Sequence, residues 1–182
     1  MKKTKGTHYV KNADFLAALI DYKNLCYDAE QSGEEFPVIP EYIGKCFLAI
    51  AKGLSFRPNF INYTYKEDMI SDGLENCVQY CHNFNPDKSK NPFAYFTQII
   101  YYAFLRRIER EKKQSYIKQK VTCQSGVLSE LATMDDHDLK QYNLTVSLDD
   151  VVNNIDDYEQ KMERKRNIRK SKNKNSLENF MG

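Results

Sequence analysis

The chain has 182 residues, 41% of them hydrophobic and 29% charged, with a net charge of +2 and a mean hydropathy of −0.68, which predicts one soluble domain with extensions. Its longest apolar run, Ile99 to Leu105, is only seven residues, too short to span a membrane. Seven glycines and five prolines disfavour a turn-rich all-β fold, and the predicted class is all-α.

The first helix follows Asn12, which reads as its N-cap, and carries Phe15, Leu16, Leu19, Ile20, Leu25 and Cys26, with Gly33 just past its end. After a loop with Pro37 and Pro40, a second helix opens at Pro40 and buries Ile43, Phe47, Ile50, Ala51 and Leu54. Arg57 to Tyr65 is an aromatic-rich connection. A third helix over Lys66 to His82 places Ile70, Leu74, Cys77, Val78 and Cys81 on one face and Asp68, Asp72 and Glu75 on another. A turn follows, and Asn91-Pro92 starts a fourth helix rich in aromatic residues. Beyond Ser115 the periodicity fades, until Ser147 opens a helix of about 148–168. Residues 169–175 read as a flexible basic linker before Leu177, Phe180 and Met181.

Charge is segregated along this order. Phe104 to Lys120 carries +5, Glu130 to Gln160 carries −8, and Lys161 to Lys174 carries +7. Such blocks in a nearly neutral chain predict several distinct charged surfaces or partners. The acidic block has the charge to cover a basic surface of the same chain.

Enzyme signatures are missing. The sequence has no glycine-rich phosphate loop, no G-x-S-x-G and no H-E-x-x-H. His8, His82 and His137 are scattered without a nucleophile, so no catalysis and no cofactor are expected. Cys77-x3-Cys81-His82 has half the ligands of a zinc site, yet one-turn spacing equally suits small core residues. The basic opening Met1 to Gly6 lacks the apolar stretch of a signal peptide, and five cysteines, an odd number, suggest reduced thiols in a cytosol.

The fourth helix holds the strongest signal. Tyr95, Phe96, Tyr101, Tyr102 and Phe104 precede Arg106, Arg107 and Arg110, joining aromatic planes to a phosphate-binding end. Single-stranded nucleic acid is held in this way. A buried aromatic core accounts for the same spacing.

The run Asp68-Met-Ile-Ser-Asp-Gly-Leu-Glu-Asn-Cys-Val-Gln-Tyr-Cys-His-Asn-Phe-Asn-Pro86, followed by Phe93-Ala-Tyr-Phe-Thr-Gln-Ile-Ile100, resembles the second region of bacterial sigma factors. More closely, Ile43-Gly44, Gly53-Leu54-Ser55, Met69-Ile-Ser-Asp-Gly73, Asn83-Phe84 and Asn91-Pro-Phe-Ala-Tyr-Phe-Thr-Gln98 resemble the late-transcription sigma factors of T-even-type bacteriophages. The likeness covers about residues 9–115.

This resemblance implies a helical domain over 9–115, an acidic helical extension over 116–168 and a basic linker with a terminal hydrophobic motif over 169–182. It implies that Asp68, Ser71, Asp72, Glu75 and Val78 dock on a coiled coil of the RNA polymerase largest subunit. It places promoter DNA on Phe93, Tyr95, Gln98, Ile99, Tyr102, Leu105, Arg106, Arg107 and Arg110, with Tyr95 stacking on an unpaired base. Gln98 and Ile99 stand where the family has paired tryptophans, and Tyr102 and Leu105 where housekeeping members have base-reading Gln and Thr. Recognition of an A·T-rich element by unstacking is therefore expected over direct readout. Leu177, Phe180 and Met181 match a tail that binds the phage sliding clamp; a late co-activator is a further implied partner, no membrane is involved, and the implied location is the cytoplasm of an infected bacterium. A helical polymerase-binding adaptor, anti-sigma-like and without DNA reading, is the competing reading; it calls for Tyr95 and Phe96 both to be buried.

Overall fold

The structure, a computed structural model, describes the backbone of residues 10–126 and 148–181 and the side chains of 10–126 and 151–171. The fold is all-α: every described secondary-structure element is helical. The elements are α1 (Asn12–Ser32), α2 (Glu41–Ser55), α3 (Lys66–Tyr80), a 3₁₀ turn (Cys81–Asn83), α4 (Pro92–Gln124) and α5 (Leu148–Met181). The chain forms two compact units, Met1–Glu109 and Arg110–Gly182.

The first unit is built around phenylalanines. Phe15 of α1, Phe47 of α2 and Phe96 of α4 are fully buried, with ring centroids 4.6 to 6.0 Å apart. Phe84, from the turn before α4, closes on Phe96, while Phe60 of the α2–α3 connection meets Phe104 edge-on at 5.2 Å. Burying such a side chain contributes roughly 1.5–3 kcal/mol, so these rings dominate the core.

In α2 the predicted stripe Ile43, Phe47, Ile50, Ala51 and Leu54 is buried throughout. The face of α1 differs from its sequence reading. Phe15, Leu19, Tyr22 and Cys26 point inward, whereas Ile20 and Leu25 are exposed. Tyr22 belongs inside because its hydroxyl donates to the Pro37 carbonyl at 3.1 Å. Gly33 ends α1 in the left-handed conformation, φ 69°, which suits glycine.

Two starts and one stop are corrected. Lys11, not Asn12, is the N-cap of α1, and it makes no side-chain capping bond. The Asn12 amide serves α4 instead: its Oδ1 accepts from the Phe93 N–H at 3.2 Å and its Nδ2 donates to the Lys90 carbonyl at 3.1 Å. Asn91 adds the local cap, accepting from the Ala94 N–H at 3.1 Å. Pro40 is the N-cap of α2 rather than its first residue. The third helix ends at Tyr80, and Cys81–Asn83 tighten into the 3₁₀ turn.

In the second unit, the last part of α4 packs on α5. The Tyr116 and Tyr158 rings stack with centroids 4.5 Å apart, and Glu159 accepts from both the Tyr116 hydroxyl and Lys120. These bonds hold the Lys120 ammonium above its ordinary value and the Glu159 carboxyl below its own. The sequence signal fades after Ser115 because residues 112–124 are mostly Lys, Gln, Ser and Thr with few apolar side chains among them, yet α4 runs on to Gln124. Likewise α5 continues through 169–175, read above as a linker; Lys and Arg are good helix formers despite their charge. Residues 127–147, which include all of the first half of the acidic block together with His137 and Ser147, lie outside the described residues, as does His8.

Candidate nucleic-acid and docking surfaces on α3 and α4

The fourth helix sorts its aromatics by face. Phe96, Ile100, Ala103, Phe104 and Ile108 form the buried stripe. Tyr95, Gln98, Ile99, Tyr102, Leu105 and Arg106 recur three or four residues apart on the other side. Gln98, Tyr102, Leu105 and Arg106 are exposed, whereas Ile99 and Tyr95 are half-buried. Tyr102 is the most open of the large apolar side chains here, at 51% exposure.

Tyr95 is anchored rather than free. Its ring meets Phe84 and Phe96 edge-on, at 5.3 and 5.1 Å. Partial burial pushes its phenol above the ordinary value, reinforced by the nearby Cys81 and Cys77 thiols. A ring held by two neighbours and open on another side is a rigid platform, with little rotamer freedom left to lose on stacking. Phe93 is likewise half-buried, while Phe96 is fully core.

A groove of about 490 Å³ lies beside this stripe, lined by Ile99, Tyr102 and Arg106 of α4 and by Asn76 and Tyr80 of α3. The last two were missed from sequence. Their signal was present, since Asp72, Asn76 and Tyr80 recur every four residues off the apolar face of α3. What they face depends on where α4 packs, which spacing does not reveal. Asn76 ties the walls together: its Oδ1 accepts from Arg106 at 2.6 Å and its Nδ2 donates to the Asp72 carbonyl at 2.6 Å.

The acidic face of α3 is divided by the same contacts. Asp72 binds Arg107 in two-pronged fashion, Nε to Oδ2 at 2.8 Å and a terminal nitrogen to Oδ1 at 2.9 Å, with each side chain 18% exposed. Asp72 and Arg107 therefore meet each other, where the sequence reading sent one to polymerase and the other to phosphate. Asp68, Ser71 and Glu75 are exposed, and the Ser71 hydroxyl donates to the Glu67 carbonyl at 3.0 Å. Val78 was assigned both to the apolar face and to the docking set. At 54% exposure it lies off the core. Arg110 is exposed and begins the second unit, and Leu177, Phe180 and Met181 lie in the last turns of α5, their side chains outside the described residues.

Cys77 and Cys81 are buried, and burial pushes both thiols up to about 12, the neighbouring Cys26 adding to the effect at Cys81. His82 instead stacks on Phe36, at 6.4 Å between centroids. Among the described residues no three His, Cys, Asp or Glu side chains come together as a metal site. No described helix is long and apolar enough to cross a membrane.

No protein-family model matches the chain, and no curated protein matches it.

Proposed function

We propose that this chain is a promoter-specificity subunit, a sigma factor of the T-even-type phage late class, acting on host RNA polymerase in the cytoplasm of an infected bacterium and having no catalysis of its own. The observation that carries this reading is the stripe Tyr95, Gln98, Ile99, Tyr102, Leu105 and Arg106, lying on one face of α4 beside an open groove. An unpaired base of an A·T-rich element stacks on Tyr95, Ile99 wedges against the remaining duplex, and Arg106 and Arg110 fix the backbone without reading sequence. The exposed Asp68, Ser71, Glu75 and Val78 form the docking face for the polymerase coiled coil, where negative charge supplies orientation and on-rate. Asp72 and Arg107 brace the two surfaces from between.

Energetics assign the opening of DNA to the complex. Stacking on an aromatic contributes about 1–3 kcal/mol per base, whereas each duplex step holds about 1.4 kcal/mol. One tyrosine offsets one flipped base and cannot open a bubble. Phe96 is buried but Tyr95 is only half-buried, which supports DNA reading over the adaptor alternative, for which both are expected to be buried.

Run-off transcription with sigma-free bacterial core polymerase on A·T-rich late promoters tests the reading. Wild type is expected to initiate, and Tyr95→Ala and Tyr102→Ala to lose at least about tenfold with polymerase binding retained, the equivalent of 1.4 kcal/mol. Tyr95→Phe keeps the ring and is expected to keep most activity. Tight polymerase binding without initiation by wild type would favour the adaptor.

A further inference from the structure

Residues 161–171 of α5 read Lys-Met-Glu-Arg-Lys-Arg-Asn-Ile-Arg-Lys-Ser, and all of them are exposed. Six are cationic and only Glu163 is anionic. Lys161, Lys165 and Arg169 recur four residues apart, and so do Arg166 and Lys170, so like charges sit one turn from each other. Such spacing weakens a helix by itself. A stretch with cations spread around most of its circumference, and self-repelling, gains most from a partner carrying negative charge along its length.

The packing of α4 on α5 brings in cations from a second helix. On one side of the pair Lys113 and Lys120 share a groove of about 610 Å³ with Arg166; Glu159, held by Lys120, and Glu163 also line it. On the other side Lys112 shares a groove of about 290 Å³ with Lys161, with Asp157 as its one acidic lining residue. Lys112 and Lys113 are exposed. Positive charge therefore flanks the pair on both sides.

We infer that this helix pair carries a second nucleic-acid surface, one that holds the phosphate backbone of duplex DNA without reading sequence, through Lys161, Arg164, Arg166, Arg169 and Lys170 of α5 with Lys112 and Lys113 of α4. A duplex presents one charge per roughly 1.7 Å of its axis, a continuous line that suits cations repeated along a helix. An anionic membrane fits less well, because surface helices insert an apolar face, and Met162 and Ile168 are the only hydrophobic residues in 161–171. The surface is separate from the α4 stripe of the proposed promoter site and does not depend on that reading.

The test uses the full chain without polymerase and a labelled 30-base-pair duplex of random sequence, followed by anisotropy between about 50 and 200 mM salt. Wild type is expected to bind with Kd in the range of roughly 10⁻⁶ to 10⁻⁴ M, log K falling linearly with log salt. The variant K161Q/R164Q/R166Q/R169Q/K170Q should bind at least about tenfold more weakly, its slope smaller by about 0.9 for each contact removed. K112Q/K113Q, which leaves α5 intact, should lose about one to two units of slope, so a misfolded quintuple variant does not decide the matter. Lys45→Gln, which removes an exposed cation of α2 that belongs to neither surface, should leave this binding unchanged. Unaltered affinity and slope in both glutamine variants overturn the proposal, and so does an equal loss of affinity in Lys45→Gln. Tighter binding to phosphatidylserine vesicles or to poly-glutamate than to duplex, at equal charge concentration, also overturns it, in favour of a membrane or an acidic protein.

Discussion

Asp72 and Arg107 show how one contact redistributes roles. Both belong by spacing to exposed charged faces, yet each side chain is largely enclosed and their two parallel hydrogen bonds use the planar geometry that guanidinium and carboxylate share. Removing either partner leaves a partly buried charge with its main contact gone, and charged hydrogen bonds of this kind contribute roughly 1.5–3 kcal/mol. Asp72→Ala is expected to lower unfolding free energy in urea by about 2 kcal/mol, and Arg107→Ala by a similar amount. The double variant should cost little more than either single one, because the two act as a unit. An unchanged urea midpoint for Asp72→Ala would show that the pair carries no stability. The exposed Lys120–Glu159 pair, in contrast, is screened by solvent and contributes little despite its shifted protonation.

Among the elements, the approach of α3 to α4 sets the groove. Gly73 sits where a Cβ would lie 3.0 Å from Ile100 Cγ2 and 3.2 Å from the Phe104 ring. The missing side chain lets the helices come close enough for Asp72 to reach Arg107 and for Asn76 to reach Arg106. Gly73→Ala gains helix propensity of up to about 1 kcal/mol but overpacks the crossing at about 1–3 kcal/mol. The expected net result is destabilisation of about 1 kcal/mol, read as a lower thermal midpoint. Ile100→Val in the same chain should recover part of it, and a midpoint raised by Gly73→Ala alone would contradict the crossing. The start of α4 is set in the same non-local way, by Asn12 reaching across 81 positions to Phe93.

At the scale of the whole molecule, two buried thiols of the first unit, Cys77 and Cys81, resist ionisation. Cys26, Cys46, Cys77 and Cys81 are buried, whereas Cys123 is half-exposed. For Cys77 and Cys81, burial raises the folded-state value from about 9 to about 12. The unfolded chain ionises first, so their stabilisation is fully present below about pH 9 and is lost as pH rises from 9 to 12. Urea midpoints should fall steadily across that window, and replacing Cys77 by Ala should flatten the fall; a midpoint independent of pH there would contradict the burial. Tethering also belongs at this scale. If the end of α5 binds a sliding clamp, truncation after Lys174 should abolish clamp-dependent stimulation of transcription and spare basal initiation, since a tether raises effective concentration without new DNA contacts. Unchanged stimulation would count against the clamp-binding role that the resemblance implies for Leu177, Phe180 and Met181.

The helices of the first unit were legible because apolar periodicity is local. Ile43, Phe47, Ile50, Ala51 and Leu54 lie every three or four residues, and a helix needs no distant partner to align them. The all-α class was legible from composition and the same periodicity, whereas the site residues of the α4 stripe came from the family resemblance, because spacing alone did not separate Tyr95 and Tyr102 from the buried Phe96 and Phe104. Composition and spacing by themselves also located the charge blocks. Packing decided the rest. Tyr22 rather than Leu25 faces the core, Asn12 caps a helix other than its own, Val78 lies outside, and Asp72 meets Arg107. Each of these depends on a residue 15 or more positions away, or on which side of a helix another helix covers. Periodicity divides a helix into faces; burial and hydrogen-bond satisfaction between helices assign each face its partner.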